Sequence, residues 1–424
     1  MPPIIDSVLL FLLSIPVVMK YRILPIEGTP YWLFGLVFLS LVVNVLLAYR
    51  SMVFAKVSRV VERWRDILIW FVLGVVVFLT LVTSMVDRKS VAPVWGVHDI
   101  ILQQEAAMRY LINGKNPYKE TYFGTPVESF NYDEPDNAEA VNPALYHFVM
   151  PPWYLLFPFG FYVVGVKLFG FFDARMALLF SMAGILLILW KWIKDKNLRR
   201  LAVILVSLSP SVFDYFIEGR SDVFAFFWLL LSLYLLSVKK PLISAFIFGL
   251  AVMSKQTIWI AVPFYFMYLF VSEVKCKSRM WWSVIITFLV CLGLTFPFLL
   301  WDQKAFIDSV FLYLTGGTAT SYPISGYGLS MVLLSVGVIK NIHDFYPFYL
   351  YQLLFGLPLI VILLRWIIKR PSLSTVLFSY GTFLTAFWYM SRYFNNSHIG
   401  YISLIFLTAG ILFMHERSLE KHES

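Results

Sequence analysis

Residues 67–86 read ILIWFVLGVVVFLTLVTSMV, a run without one charged side chain. A helix rises about 1.5 Å per residue, so a run of this length covers the ~30 Å hydrocarbon layer of a bilayer. Barrel strands need only about ten residues and alternate apolar with polar positions, which this run does not do. Similar apolar runs predict spans at 4–19, 31–49, 67–86, 174–190, 201–217, 223–238, 242–254, 258–271, 282–300, 348–364, 375–390 and 399–414. Twelve spans would absorb roughly 240 apolar side chains. The chain supplies them: 60% of its 424 residues are apolar, 14% are charged, and mean hydropathy is +0.76. That balance excludes a soluble enzyme, a disordered chain and a peripheral protein with one anchor. The expected fold is an all-α polytopic membrane protein with about 12 transmembrane helices plus a re-entrant or interfacial segment.

Lysine and arginine set the orientation. They cluster in alternate connections, at 50–65, 191–200, 239–240, 275–279, 365–370 and after His415, and these hold 20 of the 34. The positive-inside rule places them, with both termini, in the cytoplasm. The net charge of +9 therefore encodes orientation rather than nucleic-acid affinity, and the expected location is the cell membrane with the active face external. Segment 87–143 then lies outside, with nine acids against five bases. Residues 144–170 are apolar enough to cross, yet a crossing there would export the cluster at 191–200. Pro151, Pro152 and Pro158 break a straight helix, so this stretch is expected to be re-entrant or interfacial. The chain divides into three N-terminal spans (1–86), an external catalytic loop with juxtamembrane helices and the re-entrant stretch (87–173), a helical core (174–300), an external loop (301–345) and C-terminal spans with a short cytoplasmic tail (346–424). Residues 1–19 lack a basic start and a cleavage site and read as a span, not a signal peptide. Cys276 and Cys291 provide no disulfide or metal framework, and no cofactor or metal is expected.

Oriented this way, the unusual polar residues collect at external turns: His98 with Asp99, Arg220 with Asp222, Lys255 with Gln256, Tyr327, and Arg392 with His398. Ionisable groups at membrane depth are costly and tend to be functional. Asp99 precedes a helix expected over 100–113, where the dipole favours its ionised form. It reads either as a general base for a hydroxyl or as an N-cap. Glu105 and Arg109 are spaced for an i,i+4 pair on that helix, and GKNPY at 114–118 ends it. Lys255, at the tip of a tight hairpin, reads as a lysine snorkelling to the interface or as a phosphate partner. Arg392 has the same two readings, its fork suiting phosphate better. Arg220 and its acidic neighbours read as a self-satisfied ion pair opening a span. No Walker, GxGxxG, HExxH or GxSxG pattern occurs.

The order of these features resembles the GT-C superfamily of polytopic glycosyltransferases. An acid opens an external loop; a helix ends in GKNPY; a proline-rich apolar stretch follows; then come SPSVFDYFIEGRSD at 209–222, GLAVMSKQTIWIAVP at 249–263 and SRY at 391–393. The chain looks most like the mannosyltransferases of glycosylphosphatidylinositol assembly and the bacterial polyprenol-phosphate-mannose-dependent enzymes, over roughly 97–270. The resemblance implies a GT-C-like core in which Asp99 is the base, Gly114 and Pro117 end the helix, and Lys255 follows the hairpin. His98 stands where many relatives carry a second acid, and three spans precede the loop where relatives commonly have one.

What the resemblance implies is an inverting transfer of a hexose, mannose by family frequency. The donor would be a polyprenyl-phosphate-linked sugar and the acceptor a lipid-linked or other external glycan. Asp99 would take the proton, Lys255 and Arg392 would stabilise the departing phosphate, and His98, Glu105, Arg220, Asp222, Gln256, Tyr327 and His398 would face the substrates. Membrane lipids are the remaining partners, and nucleic acid is not one. A secondary transporter or lipid flippase is the competing class, normally marked by inverted repeats and polar helices meeting near the bilayer midplane. A non-catalytic accessory subunit of GT-C fold is the third reading, because the second acid is missing.

Overall fold

A computed structural model describes residues 4–23, 28, 30–54, 59–130, 132, 141–273 and 277–423. Lys275, Cys276 and the acids Asp133, Glu134, Asp136 and Glu139 of the expected external segment lie outside the described residues.

Three helices, α1 (Ile4–Tyr21), α2 (Tyr31–Val53) and α3 (Arg59–Val91), open the chain. After a turn comes α4 (Asp99–Ile112). The stretch expected to be re-entrant forms two short helices, α5 (Pro152–Leu156) and α6 (Phe159–Phe169), parted at Phe157 and Pro158. The body continues with α7 (Arg175–Trp192), α8 (Lys196–Leu208), α9 (Pro210–Glu218), α10 (Asp222–Ser237), α11 (Pro241–Val252) and α12 (Gln256–Ser272, whose first turns are 3-10). Then follow α13 (Lys277–Thr315, kinked at Asp302), α14 (Leu329–Ser335), α15 (Phe348–Lys369), α16 (Leu373–Tyr389) and α17 (Asn396–Glu423). Among the described residues the one sheet is a parallel pairing of Ser325–Gly326 with Tyr393–Phe394.

Every segment expected to span is helical, but the helices differ in length. Among the described residues seven (α1, α2, α3, α7, α13, α15, α17) are long and apolar enough to cross a membrane, and α8 with α9, bent by 51°, would be an eighth. The other four, α10, α11, α12 and α16, have 12 to 17 residues. At about 1.5 Å per residue they reach roughly 18–26 Å, short of the ~30 Å layer. The expected twelve full crossings are therefore not reached by length. Apolar runs alone do not separate a crossing from a helix sheathed by other helices, and α10 is the latter: twelve of its sixteen side chains are buried, on all sides.

Ion pairs tie the helices together at both ends of the body. At one end, charged side chains of α1, α3 and α8 pair with each other: Arg65 with Asp6 (2.6 Å), Arg200 with Asp66 (2.7 Å) and with Glu62 (2.8 Å). At the other end Lys20 and the Tyr21 hydroxyl both donate to Asp214 on α9, each at 2.7 Å. The N-terminal helices thus grip both arms of the bent α8–α9 pair.

Candidate active site

The site is built outward from the start of α4. The imidazole Nδ1 of His98 lies 2.7 Å from Asp99 Oδ1 and 3.3 Å from the Ile100 amide nitrogen. One ring nitrogen cannot donate and accept at once, and the shorter contact to a carboxylate assigns Nδ1 as N–H donor to Asp99. The cap position belongs to His98 and Asp99 is the first helical residue, so the N-cap reading of Asp99 is corrected. Asn142 Nδ2 donates to the other Asp99 oxygen at 3.2 Å. Burial alone would raise the Asp99 carboxyl, but His98, the Asn142 amide and the Arg220 charge outweigh it and hold it down at about 2.

Tertiary contacts lock α4 in place. The His98 amide donates to the Glu218 carbonyl at the end of α9 (2.8 Å). Gly219 follows at φ +93°, and a Cβ there would lie 2.4 Å from Ile101 Cγ1, so only glycine lets this turn press on α4. Deeper in, Glu105 receives both Arg88 terminal nitrogens at 2.8 Å and the Ala174 amide at 3.1 Å. Arg88 also reaches Asp173 (3.0 Å), which Arg175 holds at 2.8 Å. The expected pairing of Glu105 with Arg109 is therefore corrected: Arg109 is exposed, and a buried carboxylate takes a buried partner. Gln103 donates to the Ala144 and His147 carbonyls (2.6 and 2.7 Å) and Gln104 to the Tyr154 carbonyl, fastening the proline-rich stretch onto α4. GKNPY does end the helix, with Gly114 at φ +69° and the Lys115 amide returning to the Tyr110 carbonyl.

The facing walls come from later turns. Lys255 Nζ sits 2.5 Å from Asp222 Oδ1, so it is a paired, largely buried ammonium rather than a solvated snorkelling lysine. Arg220 lies 3.3 Å from Glu218 and stacks over the Tyr215 ring at 5.2 Å. Gln256 spends its amide nitrogen on the Val149 and Val310 carbonyls, at 2.5 and 3.1 Å. His398 Nδ1 accepts the Asn395 amide at 2.9 Å and its ring packs 4.3 Å from Trp388. Tyr327 is exposed.

Arg392 departs from expectation. It is 3% exposed and donates to three backbone carbonyls, those of Tyr322 (2.5 Å), Asp344 (2.6 Å) and Ile342 (3.0 Å). Its fork holds the 322–344 segment rather than standing free for a phosphate, and the phosphate-clamp reading is corrected. Backbone carbonyls leave no signature in sequence, which is why spacing did not foretell this.

These turns enclose a cavity of 1190 Å³. Nine of the ten candidates line it: His98, Asp99, Arg220, Asp222, Lys255, Gln256, Tyr327, Arg392 and His398. Glu105 does not, its oxygens being taken by Arg88 and Ala174. Other walls are aromatic, from Trp259, Phe311, Phe345, Tyr349, Phe387 and Trp388. Sequence reasoning missed Asn142, which holds Asp99, and Tyr322, whose phenol burial and then Asp99 push upward. The chemistry available is a carboxylate–imidazole pair able to accept a proton, facing a cavity that also presents two cations to an anion.

No curated protein and no solved structure matches the chain. The model of glycosyltransferase family 87 matches residues 148–391, more than half of the 424. The matched span carries Arg220, Asp222, Lys255, Gln256 and Tyr327 and leaves His98 and Asp99 upstream of it. With seven helices among the described residues long and apolar enough to cross a bilayer, the chain is a membrane glycosyltransferase and belongs to glycosyltransferase family 87.

Proposed function

We propose that this glycosyltransferase is a GT-C-type inverting enzyme. It moves a hexose, mannose by family frequency, from a polyprenyl-phosphate-linked donor to a lipid-linked or other glycan acceptor at the external face of the cell membrane. The supporting observation is the meeting of the Asp99–His98 pair with Arg220 and Lys255 in one partly aromatic cavity. The acceptor hydroxyl gives its proton to that pair, its oxygen attacks the anomeric carbon, and the lipid phosphate leaves against the cations. A phosphate leaving group needs little acid help, so a second carboxylate of the kind glycosidases use is unnecessary. Lys255 is the phosphate partner: the incoming donor competes with Asp222 for its ammonium. Arg220 takes the share first expected of Arg392. The aromatic walls suit an isoprenoid chain. Sidedness rests on the Lys and Arg distribution, which makes 87–173 and 301–345 external, 174–300 the core and 346–424 the closing spans.

Purified protein in nanodiscs, given tritiated polyprenyl-phosphate mannose and a lipid extract as acceptor, should form a labelled glycolipid with the anomeric configuration opposite to the donor. Label taken only from a nucleotide sugar, or a retained configuration, refutes the proposal.

A further inference from the structure

We infer that Tyr313 and Tyr322 form the subsite for the terminal sugar of the acceptor, which they recognise as a pyranose ring. This rests on the transfer proposed above and names what holds its acceptor. Both side chains line the cavity, and their rings stand 6.5 Å apart at 66°, so a face and an edge meet at a corner. Tyr313 is buried (3% exposed), and no described residue hydrogen-bonds its hydroxyl. Asn395 Nδ2 donates to the Tyr322 hydroxyl at 3.5 Å and leaves that hydroxyl its own proton to give. A phenol taken out of water normally finds a partner, so two with capacity to spare at one corner point to a ligand that brings hydroxyls of its own.

An isoprenoid chain has no hydroxyl to bring, and a phosphate is drawn to Arg220 and Lys255. A pyranose offers C–H faces to the rings and hydroxyls to the phenols. The corner also lies on the acceptor's side of the reacting centre. The strongest electrostatic neighbours of Tyr313 are Tyr322, Asp99, Tyr393 and Tyr132, whereas Lys255 and Arg220 act on His398. Tyr322 stands between, within reach of Asp99 and, more weakly, of Arg220. A sugar packed into the corner therefore turns a hydroxyl toward the Asp99–His98 pair while the anomeric carbon of the donor arrives from the side of the cations. The cavity's 1190 Å³ exceeds the ~300–1,000 Å³ that takes one drug-sized ligand, so donor and acceptor fit together, as a single displacement requires.

Both rings are fixed from behind. Arg392 Nε donates to the carbonyl of Tyr322 itself at 2.5 Å, and Ser325 pairs with Tyr393 in parallel register. The Tyr393 ring backs that of Tyr322 at 4.9 Å. His147 packs 5.2 Å from Tyr313, with Nδ1 on the Ser309 hydroxyl at 3.3 Å and Nε2 on that of Thr320 at 2.8 Å. The Arg392 anchor thus holds one wall of the acceptor subsite in place.

The test compares full-length wild type, Tyr313→Phe, Tyr322→Phe and the double variant in nanodiscs, for transfer from tritiated polyprenyl-phosphate mannose to the lipid extract. Phenylalanine keeps each ring and removes only the hydroxyl. Each single variant should raise acceptor KM by about 2- to 12-fold, the equivalent of one neutral hydrogen bond, and leave donor KM within about twofold. Partial acid hydrolysis of the wild-type product should release a labelled disaccharide. A raised donor KM with acceptor KM unchanged gives the corner to the donor hexose and overturns the inference. Variants that move neither constant overturn it too, as does label that never appears in a disaccharide. Wild type without any transfer overturns the donor reading alone. Saturation-transfer NMR with methyl α-D-mannopyranoside, which needs no turnover, then decides: ring-proton signals weakened in the double variant uphold the subsite, and signals equal in both proteins, or absent from both, overturn it.

Discussion

Replacing Arg392 with methionine separates an anchor from a phosphate clamp. Methionine fills much of the same volume and removes every N–H. Three carbonyls, those of Tyr322, Ile342 and Asp344, then lose a charged donor. Hydrogen bonds to a charged group contribute about 1.5–3 kcal/mol each, so the gross loss is about 4.5–9 kcal/mol. Water from the adjoining cavity can reach part of the opened segment and restore some of those bonds, leaving a net cost of about 3–5 kcal/mol. The loss is local, so hydrogen exchange should quicken selectively over 316–346, with a smaller fall in the unfolding temperature of the purified protein. Donor affinity should weaken only in proportion to that loosening, and Arg392→Lys, which cannot serve three carbonyls from one point charge, should resemble methionine. An Arg392→Met protein with wild-type exchange over 316–346 and a selectively raised donor KM would sink the anchor reading and restore the clamp.

Lys255→Ala should raise donor KM by about 10- to 100-fold, the equivalent of one charge-assisted bond to phosphate. Adding Asp222→Asn should recover stability without recovering donor use, and recovery of both would make the pair purely structural. Arg88→Met strands Glu105 as a buried carboxylate, leaves Asp173 to Arg175 alone, and should cost about 3–5 kcal/mol in thermal unfolding. Partial rescue by Glu105→Leu is expected, and an unchanged melting curve would refute the pairing. Tags inserted at Arg63 and Asp195 should be protected from outside the cell and one at Glu134 accessible. External labelling at Asp195 would reverse the assigned sides.

What could be read from the sequence, and what could not, follows from the range of each interaction. Each apolar run became a helix because the hydrophobic pattern is local. The cavity was foreshadowed because one charge rule put His98, Asp99, Arg220, Lys255 and His398 on the same side, and the fold gathers the turns that carry them. Pairing was not legible. Glu105 has Arg109 one helical turn away, yet it bonds Arg88, seventeen positions earlier on another helix. Lys255 looked like an isolated charge because Asp222 is 33 positions distant. Length was the third gap: hydropathy marks what is shielded from water but not by what, so α10 inside the bundle reads like α1.

The three N-terminal helices have a mechanical role in these same pairings. The α8–α9 pair is bent by 51° at Pro210, and a bend is a hinge unless both arms are held. The start of α3 holds the first arm, through Glu62 and Asp66 on Arg200. The end of α1 holds the second, through Lys20 and Tyr21 on Asp214. The second arm ends at Glu218, whose carbonyl receives the His98 amide. Exposed ion pairs such as Lys20–Asp214 add little to overall stability. Their consequence is positional: α1 to α3 fix the angle of α9, α9 fixes the start of α4, and the start of α4 aims the Asp99–His98 pair. An N-terminal truncation would therefore act on catalysis through geometry, although none of the described residues of α1 to α3 lines the cavity.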